Sequence, residues 1–296
     1  MRRVDRRNAL VADPSRRRCF SRAFRTKPLF SYLRTITIPT AVVAATGDWA
    51  RPVAPPTGWP AVHLAGEPDL GPDVYVFTPS MPQSQIQAAV DSIATQQIPN
   101  QFGTQRYALL FEPGTYGSAA DPLSFQVGYY TEVAGLGSSP GAVTINGSIN
   151  VYNQCLPAAD GTNTNCIALD NFWHSMSNLT INVAGGTGCQ AATEFWAVSQ
   201  AAPMRRVSIN GKVSLMDYCN GGPDYASGGF IADSAFSGST IVNGSQQQFI
   251  VRNSNLDGWS NGVWNQVFSG DVGARQPRSR RRPQAAAPTP PSPPAR

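Results

Sequence analysis

Short apolar segments, separated by Gly, Pro and Asn, follow one another along the middle of the chain. Val74–Phe77 and Tyr107–Phe111 predict strands, and we expect the second to be fully buried because all of its residues are apolar or aromatic. Between them, the spacing 0, 3, 4, 7 predicts one amphipathic helix with Ser84 as its N-cap and with four core-facing residues, Ile86, Ala89, Val90 and Ile93.

Similar segments then recur at intervals typical of a solenoid. Aligned apolar residues are separated by 28, 27 and 20 positions: Ile181, Ile209, Phe236 and Leu256. An earlier member, Ile145, lies 36 residues before Ile181. Because the repeats are short β-branched or aromatic strands with no helical run between them, leucine-rich and helical repeats are disfavoured. The pattern predicts an all-β chain, a single right-handed parallel β-helix of about seven to nine coils with an N-terminal capping helix.

Stacked coils place equivalent residues above one another. We therefore expect the four aligned apolar residues to form one internal column. We also expect three asparagines to adopt left-handed backbone at corners and to hydrogen-bond from coil to coil, namely Asn146, Asn210 and Asn243.

The composition agrees with many short strands, since 27 Gly and 25 Pro accompany only 14% charged residues. The formal net charge of +5 is confined to the ends. Residues 1–34 hold eleven Lys or Arg and residues 275–296 hold six, which leaves six basic against 16 acidic residues in positions 35–274. The body therefore carries a net charge of −10, which repels phosphate backbones and excludes nucleic acid as a partner.

Both ends differ from the body. Residues 1–46 are a basic leader followed by a short apolar stretch, typical of a signal peptide that is disordered or cleaved, and no stretch is long enough to span a membrane. The long basic part indicates either a start codon placed too far upstream or an extended, twin-arginine type leader. Residues 275–296 form an Arg/Ala/Pro tail that we expect to be disordered. We interpret this tail as out-of-frame sequence that follows a truncated β-helix, residues 47–274.

Four cysteines lie in the body and one, Cys19, in the leader. An even number in a secreted chain favours two disulfides, with Cys155 joined to Cys166 across a short polar loop and Cys189 joined to Cys219. Four free buried thiols are the alternative. The chain has two histidines, His63 and His174, and no C-x-x-C pair, so no metal site of ordinary ligand spacing is predicted.

Several consecutive motifs resemble the start of pectate-lyase-superfamily β-helices: Gln85–Asp91, Ala108–Tyr116, Val133–Gly137 and Val143–Gly147. Residues 47–274 are most similar to secreted bacterial proteins labelled coagulation factor 5/8 type domain or adenylyl cyclase, which are distantly similar to the double β-helix glucanases of glycoside hydrolase family 55. This resemblance implies a carbohydrate-active enzyme. A discoidin-type sandwich has no room after Ala274, and no nucleotide-cyclase site is visible.

Enzymes of the β-helix family that this chain resembles cut polysaccharides with carboxylates, or with Ca²⁺ and a basic residue. Hydrolysis needs two carboxylates about 5 to 10 Å apart, which carboxylates one or two coils apart satisfy. The candidate catalytic residues are Glu194, Asp217, Asp233 and Asp257, with Asp224 as a further acidic candidate. The alternative is that these residues bind backbone amides at corners or are solvated turn charges.

Aromatic side chains that face a groove bind the faces of sugars. The candidates are Trp173, Trp196, Tyr218, Trp259 and Trp264. Trp173 and Trp196 follow phenylalanines in matching Phe-Trp pairs, so alternation along a strand predicts one exposed member of each pair and a strip of stacked tryptophans. Burial under loops is the alternative.

The sequence thus favours a secreted, monomeric polysaccharide hydrolase that acts on a neutral extracellular glycan. A negatively charged body attracts uronate polymers poorly without Ca²⁺, so a polysaccharide lyase is less favoured and no cofactor is expected for a hydrolase. The competing interpretation is a non-catalytic β-helix module that binds a glycan or a cell surface.

Overall fold

A computed structural model gives the fold, and it describes residues 70–157, 164–222, 224–244, 248–260 and 265–274. All of these residues belong to one compact unit. The predicted leader, residues 1–46, and the tail, residues 275–296, lie outside the described residues. No helix within the described ranges is long and apolar enough to cross a membrane.

The described residues contain one α-helix, two short 3₁₀ helices and sixteen strands. The α-helix is α1, Gln83–Gln97, and the 3₁₀ helices are Pro140–Ala142 and Gly188–Gln190. The strands are β1 Val74–Phe77, β2 Tyr107–Phe111, β3 Gly114–Tyr116, β4 Leu123–Gln126, β5 Thr131–Gly135, β6 Val143–Asn150, β7 Gln154–Pro157, β8 Thr164–Ile167, β9 His174–Val183, β10 Thr193–Phe195, β11 Pro203–Asn210, β12 Lys212–Ser214, β13 Phe230–Ala232, β14 Ala235–Ser237, β15 Gln248–Arg252 and β16 Asn265–Ser269.

Eight strands stack in parallel to form the first face of a solenoid. Their order is β1, β2, β5, β9, β11, β13, β15 and β16, so each strand pairs with the equivalent strand of the next coil. Parallel pairing between strands that are one coil apart defines a parallel β-helix, and the predicted all-β fold is confirmed. The number of first-face strands falls within the predicted seven to nine coils.

Three long strands bend and continue onto further faces. The first half of β6 and the second halves of β9 and β11 pair in register with each other, with β3 before them and β14 after them, to form the second face. A third face begins with β4 and the end of β6, and continues through β10 and β12. The antiparallel hairpin of β7 and β8 projects from the coil that follows β6.

The predicted internal column is present on the second face. Ile145 pairs with Ile181, Ile181 with Ile209, and Ile209 with Phe236. Ala235 pairs with Asn255, so Leu256 continues the column on the next coil. All five residues are buried, and this confirms that like side chains stack down one cylinder.

An asparagine ladder runs beside this column on the outside of the same face. Asn182 Nδ2 donates to Asn146 Oδ1, and Asn210 Nδ2 donates to Asn182 Oδ1, both at 2.9 Å. The predicted coil-to-coil hydrogen bonds of Asn146 and Asn210 are therefore confirmed. Their predicted left-handed backbone is wrong, as it is for Asn243, because these residues are in or beside extended strands.

The left-handed corner residues lie elsewhere, between the first and second faces. Equivalent positions of four coils have φ between 50° and 54°: Asn178, Arg206, Asp233 and Asn253. Left-handed backbone at this point turns the chain from one face to the next, and Asn and Asp tolerate it better than most residues.

The helix caps the first coil as predicted, with Ile86, Ala89, Val90 and Ile93 buried. Two local expectations are wrong. The helix begins one residue before Ser84, with Pro82 at the N-cap, so no side chain caps it. Strand β2 is buried on alternate residues only, because one side of a single-layer solenoid wall faces outwards.

Candidate functional site

A column of side chains runs along the corner that precedes the first face. Continuing the strand register by one residue places Arg106, Tyr130 and Trp173 at equivalent positions of successive coils, and continuing it by three residues before Met204 places Ala201 next. The last three have φ of 56°, 57° and 56°, so the same left-handed turn presents each side chain in the same direction.

Aromatic stacking joins three members of this column, which we call the aromatic corner: Arg106, Tyr130 and Trp173. The Arg106 guanidinium carbon lies 3.4 Å from the centroid of the Tyr130 ring. The Tyr130 and Trp173 rings are parallel within 9° with centroids 5.1 Å apart, which is about one coil rise of 4.7–4.9 Å. Trp173 remains 42% exposed.

The column of large side chains stops after Trp173, and a cleft begins on the next coil. The next equivalent positions hold Ala201, then Gly228, then Gln248. The small residues leave a cavity of about 520 Å³, which we call the neutral cleft because none of its lining residues is charged. Apolar side chains of the first face form its floor, including the half-exposed Ile250 and Val267.

Polar side chains at the rim of the neutral cleft are amides and hydroxyls. Gln200 Nε2 donates to the Ser227 carbonyl at 3.2 Å, and Ser227 Oγ donates to Gln200 Oε1 at 3.0 Å. Such groups exchange hydrogen bonds with sugar hydroxyls, and the apolar floor suits the faces of sugar rings.

A second groove, of about 420 Å³, adjoins the aromatic corner on the side of the first coils. Its lining includes the aromatic corner, Ala201 and two exposed carboxylates, Asp73 and Glu132. Sequence reasoning did not select either carboxylate, because both precede or lie on early strands where no repeat had yet been aligned.

Glu194 does not lie at a groove surface, as its candidacy for catalysis requires. It is fully buried on β10, where its Oε2 accepts the Ile149 backbone N–H at 2.9 Å across the third face. Its Oε1 has no hydrogen-bond partner within the described ranges. Burial raises the pKa of this carboxyl well above its usual range, and the Ile149 hydrogen bond opposes the rise.

Asp217 is also buried, in the loop that follows β12. Its Oδ1 accepts the Cys219 N–H at 2.9 Å and its Oδ2 accepts Asn220 Nδ2 at 2.6 Å, so both oxygens fix the local turn. Burial raises its pKa, and the nearby Asp224 raises it further. Asp224 is partly exposed, accepts Asn153 Nδ2 at 3.0 Å and has a pKa that burial also raises.

Asp233 and Asp257 occupy separate corners and do not form a pair. Asp233 stacks over Asn253, whose Nδ2 donates to it at 3.3 Å, and forms an ion pair with Arg205 at 3.2 Å. These contacts lower its pKa. Asp257 instead accepts the Gly238 N–H at 2.9 Å. The geometry agrees with the alternative that corner carboxylates bind amides and neighbouring side chains.

The predicted strip of stacked tryptophans is wrong. Trp196 is buried and donates through Nε1 to the Ala202 carbonyl, and Trp259 is buried and donates to Gln266. The two Phe-Trp pairs are not equivalent, because Trp173 precedes a first-face strand whereas Trp196 follows a third-face strand. Tyr218 is 45% exposed but does not line the neutral cleft, and Trp264 lies outside the described residues.

Sequence reasoning missed Tyr130, the true stacking partner of Trp173. Tyr130 precedes β5 as Trp173 precedes β9, so the signal was an aromatic residue directly before consecutive strands of the first face. The interval of 43 residues hid this signal, because the β7–β8 hairpin lengthens that coil.

Both predicted disulfides are confirmed. Cys155 is joined to Cys166 across the β7–β8 hairpin, and Cys189 is joined to Cys219, which lies two residues after Asp217. The described part of the chain contains no group of three or more His, Cys, Asp or Glu residues that is arranged to hold a metal ion.

Comparison with known proteins places this chain in a family. Residues 83–271 match the family described as rhamnogalacturonase A/epimerase, pectate lyase-like. The chain is also 42% identical over 272 residues to an exo-beta-1,3-glucanase of Streptomyces sp. (strain SirexAA-E / ActE), an alignment that covers 90% of this chain and 39% of that protein.

Two solved structures of a protein named sacteLam55A are similar in fold to this chain. The structure of sacteLam55A from Streptomyces sp. SirexAA-E has a TM-score of 0.57 at 42% identity, and a variant of that protein in complex with glucose has a TM-score of 0.55 at 44% identity. Each comparison covers 71% of this chain and 34% of the other.

The chain thus spans about two fifths of the length of the glucanase it matches. These comparisons give no support to the coagulation factor 5/8 label. The match with the family description extends from the capping helix to the last described coil, and the stacked coils have the parallel register expected of such a protein. The chain belongs to the rhamnogalacturonase A/epimerase, pectate lyase-like family.

Proposed function

We propose that this chain forms the sugar-binding β-helix of a polysaccharide hydrolase that acts on a neutral β-1,3-glucan. The observation that carries the proposal is the neutral cleft, which begins at Ala201, one coil after the exposed ring of Trp173, and follows the coils over Gly228. The similarity to a protein described as an exo-beta-1,3-glucanase supports the choice of polymer.

The charge pattern favours a neutral polymer over a uronate. No cationic side chain lines the cleft to bind carboxylate groups, and the body of the chain has a net charge of −10. A polyuronate would therefore be repelled at long range and would find no partner at contact.

Two carboxylates that line the same groove as Trp173 support hydrolysis. Asp73 lies one residue before β1 and Glu132 is on β5, so the two are two coils apart. At about 4.8 Å per coil, their separation along the axis is about 10 Å, close to the roughly 6.5–9.5 Å that inverting glycosidases use. We propose these two residues as the carboxylate pair for any cleavage that this chain performs alone.

A binding module without catalysis is the second candidate function. It is favoured by the lining of the neutral cleft itself, which contains no carboxylate. It is also favoured by the burial or pairing of Glu194, Asp217 and Asp233.

We further propose that the protein acts outside the cell. Two disulfides support this location, because such bonds persist in oxidising compartments.

The test measures binding and cleavage separately. Purified full-length chain is titrated with a soluble β-1,3-glucan and, as the charged control, with polygalacturonate, and reducing ends are counted in parallel. We expect saturable binding of the glucan only. Release of reducing ends that Glu132→Gln abolishes supports hydrolysis, whereas binding without release supports the second candidate. Absence of glucan binding, or equal binding of polygalacturonate, overturns the proposal.

A further inference from the structure

Five asparagines of the chain are followed directly by glycine: Asn146, Asn210, Asn220, Asn243 and Asn261. In such a pair the backbone nitrogen of the glycine can attack the side-chain carbonyl carbon of the asparagine. Glycine favours this attack because it has no Cβ to block the approach and because it adopts a wide range of backbone conformations. The first four asparagines lie within the described residues, and their surroundings differ.

Three of these four asparagines are protected by the fold. Asn146 and Asn210 lie in extended strands of the second face, and their side-chain amides take part in the asparagine ladder. The glycine that follows Asn210 also donates its backbone N–H to the Ser237 carbonyl at 2.7 Å, so its nitrogen is engaged. Asn243 is only 2% exposed. The strands or burial therefore hold these three side chains away from attack.

Asn220 differs from the other three in each respect. It is exposed and lies in the loop that follows β12. The next residue, Gly221, is also exposed and has a φ of 77°, and a Cβ built on it would meet no atom within 4 Å. The Gly221 N–H makes no hydrogen bond with the part of the chain that the structure describes. Both reacting groups are thus accessible.

The reaction between them needs only water as a second reactant. The Gly221 nitrogen forms a bond to Asn220 Cγ, the bond between Cγ and Nδ2 breaks, and ammonia leaves with the proton that Gly221 loses. The product is a five-membered cyclic imide. Water then opens the ring at either carbonyl carbon, which gives aspartate or isoaspartate at position 220 and restores the Gly221 N–H.

The amide group that this reaction removes is a hydrogen-bond donor to Asp217. Asn220 Nδ2 donates to Asp217 Oδ2 at 2.6 Å. A carboxylate at position 220 has no proton to donate, and it repels the carboxylate of Asp217. Asp217 is buried, and its pKa is already raised by burial and by the nearby Asp224. A further negative charge at this point therefore destabilises the loop.

The same loop connects the β7–β8 hairpin to the coils. The Asp217 carbonyl accepts Asn153 Nδ2 at 2.8 Å just before the hairpin, and the Gly222 carbonyl accepts the Cys166 N–H at 3.3 Å within it. Position 220 lies between these two carbonyls in the chain. Isoaspartate adds one carbon to the backbone there, so it changes the spacing of the two contacts.

We propose that Asn220 is a site of spontaneous deamidation and that its conversion to aspartate or isoaspartate loosens the loop that anchors the β7–β8 hairpin. The modification requires no enzyme and no cofactor. It does not depend on the proposed hydrolase function, because Asn220 lines neither the neutral cleft nor the groove at the aromatic corner.

The test of the site compares purified full-length chain incubated in mildly alkaline buffer with the same chain incubated in urea. Mass spectrometry of peptides measures the conversion of each asparagine. In the native protein Asn220 should deamidate about tenfold or more faster than Asn210, whereas in urea the two rates should be similar. Equal rates in the native protein overturn the proposal. An unchanged ratio in urea overturns it too, because the local sequence would then explain the difference.

The test of the consequence uses Asn220→Asp, which reproduces one product. We expect the Cys166 amide to exchange its hydrogen about tenfold or more faster at neutral pH, while the Ile181 amide in the buried column keeps its rate and shows that the fold is intact. Asn220→Ser is the matched control, because serine retains an uncharged donor. Unchanged exchange at Cys166 in Asn220→Asp, or an equal increase in Asn220→Ser, overturns the effect on the hairpin.

Discussion

Trp173 stacks on Tyr130 of the preceding coil, and no ring covers it on the following coil, where Ala201 holds the equivalent position. The stack therefore ends at the point where the neutral cleft begins. A ring held in place from one side by a parallel neighbour is a pre-organised surface for a sugar, because little side-chain entropy remains to be lost on binding.

Trp173→Ala should accordingly weaken binding of a soluble β-1,3-glucan. Aromatic packing contributes about 0.5–1.5 kcal/mol beyond area burial, so we expect a loss of about threefold to more than tenfold, measured by titration calorimetry. Phe102→Ala is the control, since Phe102 is exposed but lines neither the neutral cleft nor the groove at the aromatic corner, which Trp173 does line. Equal effects of the two variants would remove Trp173 from the binding surface.

The buried column makes a prediction about stability. Ile181 is fully buried between Ile145 and Ile209, so Ile181→Ala should lower the free energy of unfolding by about 2–5 kcal/mol in urea titrations. Ile250 is 48% exposed on the first face, and the same substitution there should cost less than about 1 kcal/mol. Equal losses at both positions would contradict the assignment of inside and outside.

The column was predictable because a parallel β-helix repeats one chemical environment at each coil. Ile181, Ile209, Phe236 and Leu256 show this environment directly in the sequence, as do the ladder asparagines Asn146 and Asn210. Corner residues such as Arg206 were not predictable, because a left-handed backbone can be held by neighbouring coils whatever the side chain.

The site was less predictable than the fold, because exposure depends on contacts between coils. Trp196 and Trp173 have similar local sequences, yet one points into the core and the other out of a corner. Glu194 is of a residue type that can act as a catalytic acid, but its carboxyl accepts a hydrogen bond from the Ile149 backbone N–H. Distances of this kind arise from the register of distant strands, and the sequence shows the register only where the repeats align.

His174 should make the protein less stable in acid. Burial lowers its pKa from 6.5 to about 4, a change that the Gly128 backbone partly opposes. The unfolded chain therefore binds the proton first, and stability falls as pH decreases from about 6.5 to about 4. At about 1.4 kcal/mol per pKa unit, this amounts to about 3 kcal/mol. In urea titrations at a series of pH values, the free energy of unfolding of His174→Gln should lack this decrease in acid. His63→Gln is the reference, because His174 is its only histidine. Parallel plots of unfolding free energy against pH for the two variants would contradict the prediction.

Glu194 should act in the opposite direction. Its pKa in the folded protein is raised above 4.5, so the folded state holds the proton more tightly than the unfolded state. The stability from this group is present below pH 4.5 and is lost as pH rises through the folded pKa. Glu194→Gln keeps an acceptor for the Ile149 N–H without a charge. It should unfold at higher urea than the wild type at neutral and alkaline pH, with no such gain in acid. A gain that does not depend on pH would contradict the assignment.

The disulfide between Cys189 and Cys219 joins the 3₁₀ helix Gly188–Gln190, just before β10, to the loop that holds Asp217. It closes a segment of 30 residues, whereas the Cys155–Cys166 bond closes one of 11. Loop-closure entropy predicts a loss of about 3–4 kcal/mol for the Cys189→Ala/Cys219→Ala double variant and about 3 kcal/mol for Cys155→Ala/Cys166→Ala. Urea unfolding of each double variant, with and without reductant, measures both losses. In each variant the reductant should remove only the stability contributed by the remaining disulfide. A larger loss of unfolding free energy for the shorter loop would show that native contacts, and not chain entropy, determine the contribution of each bond.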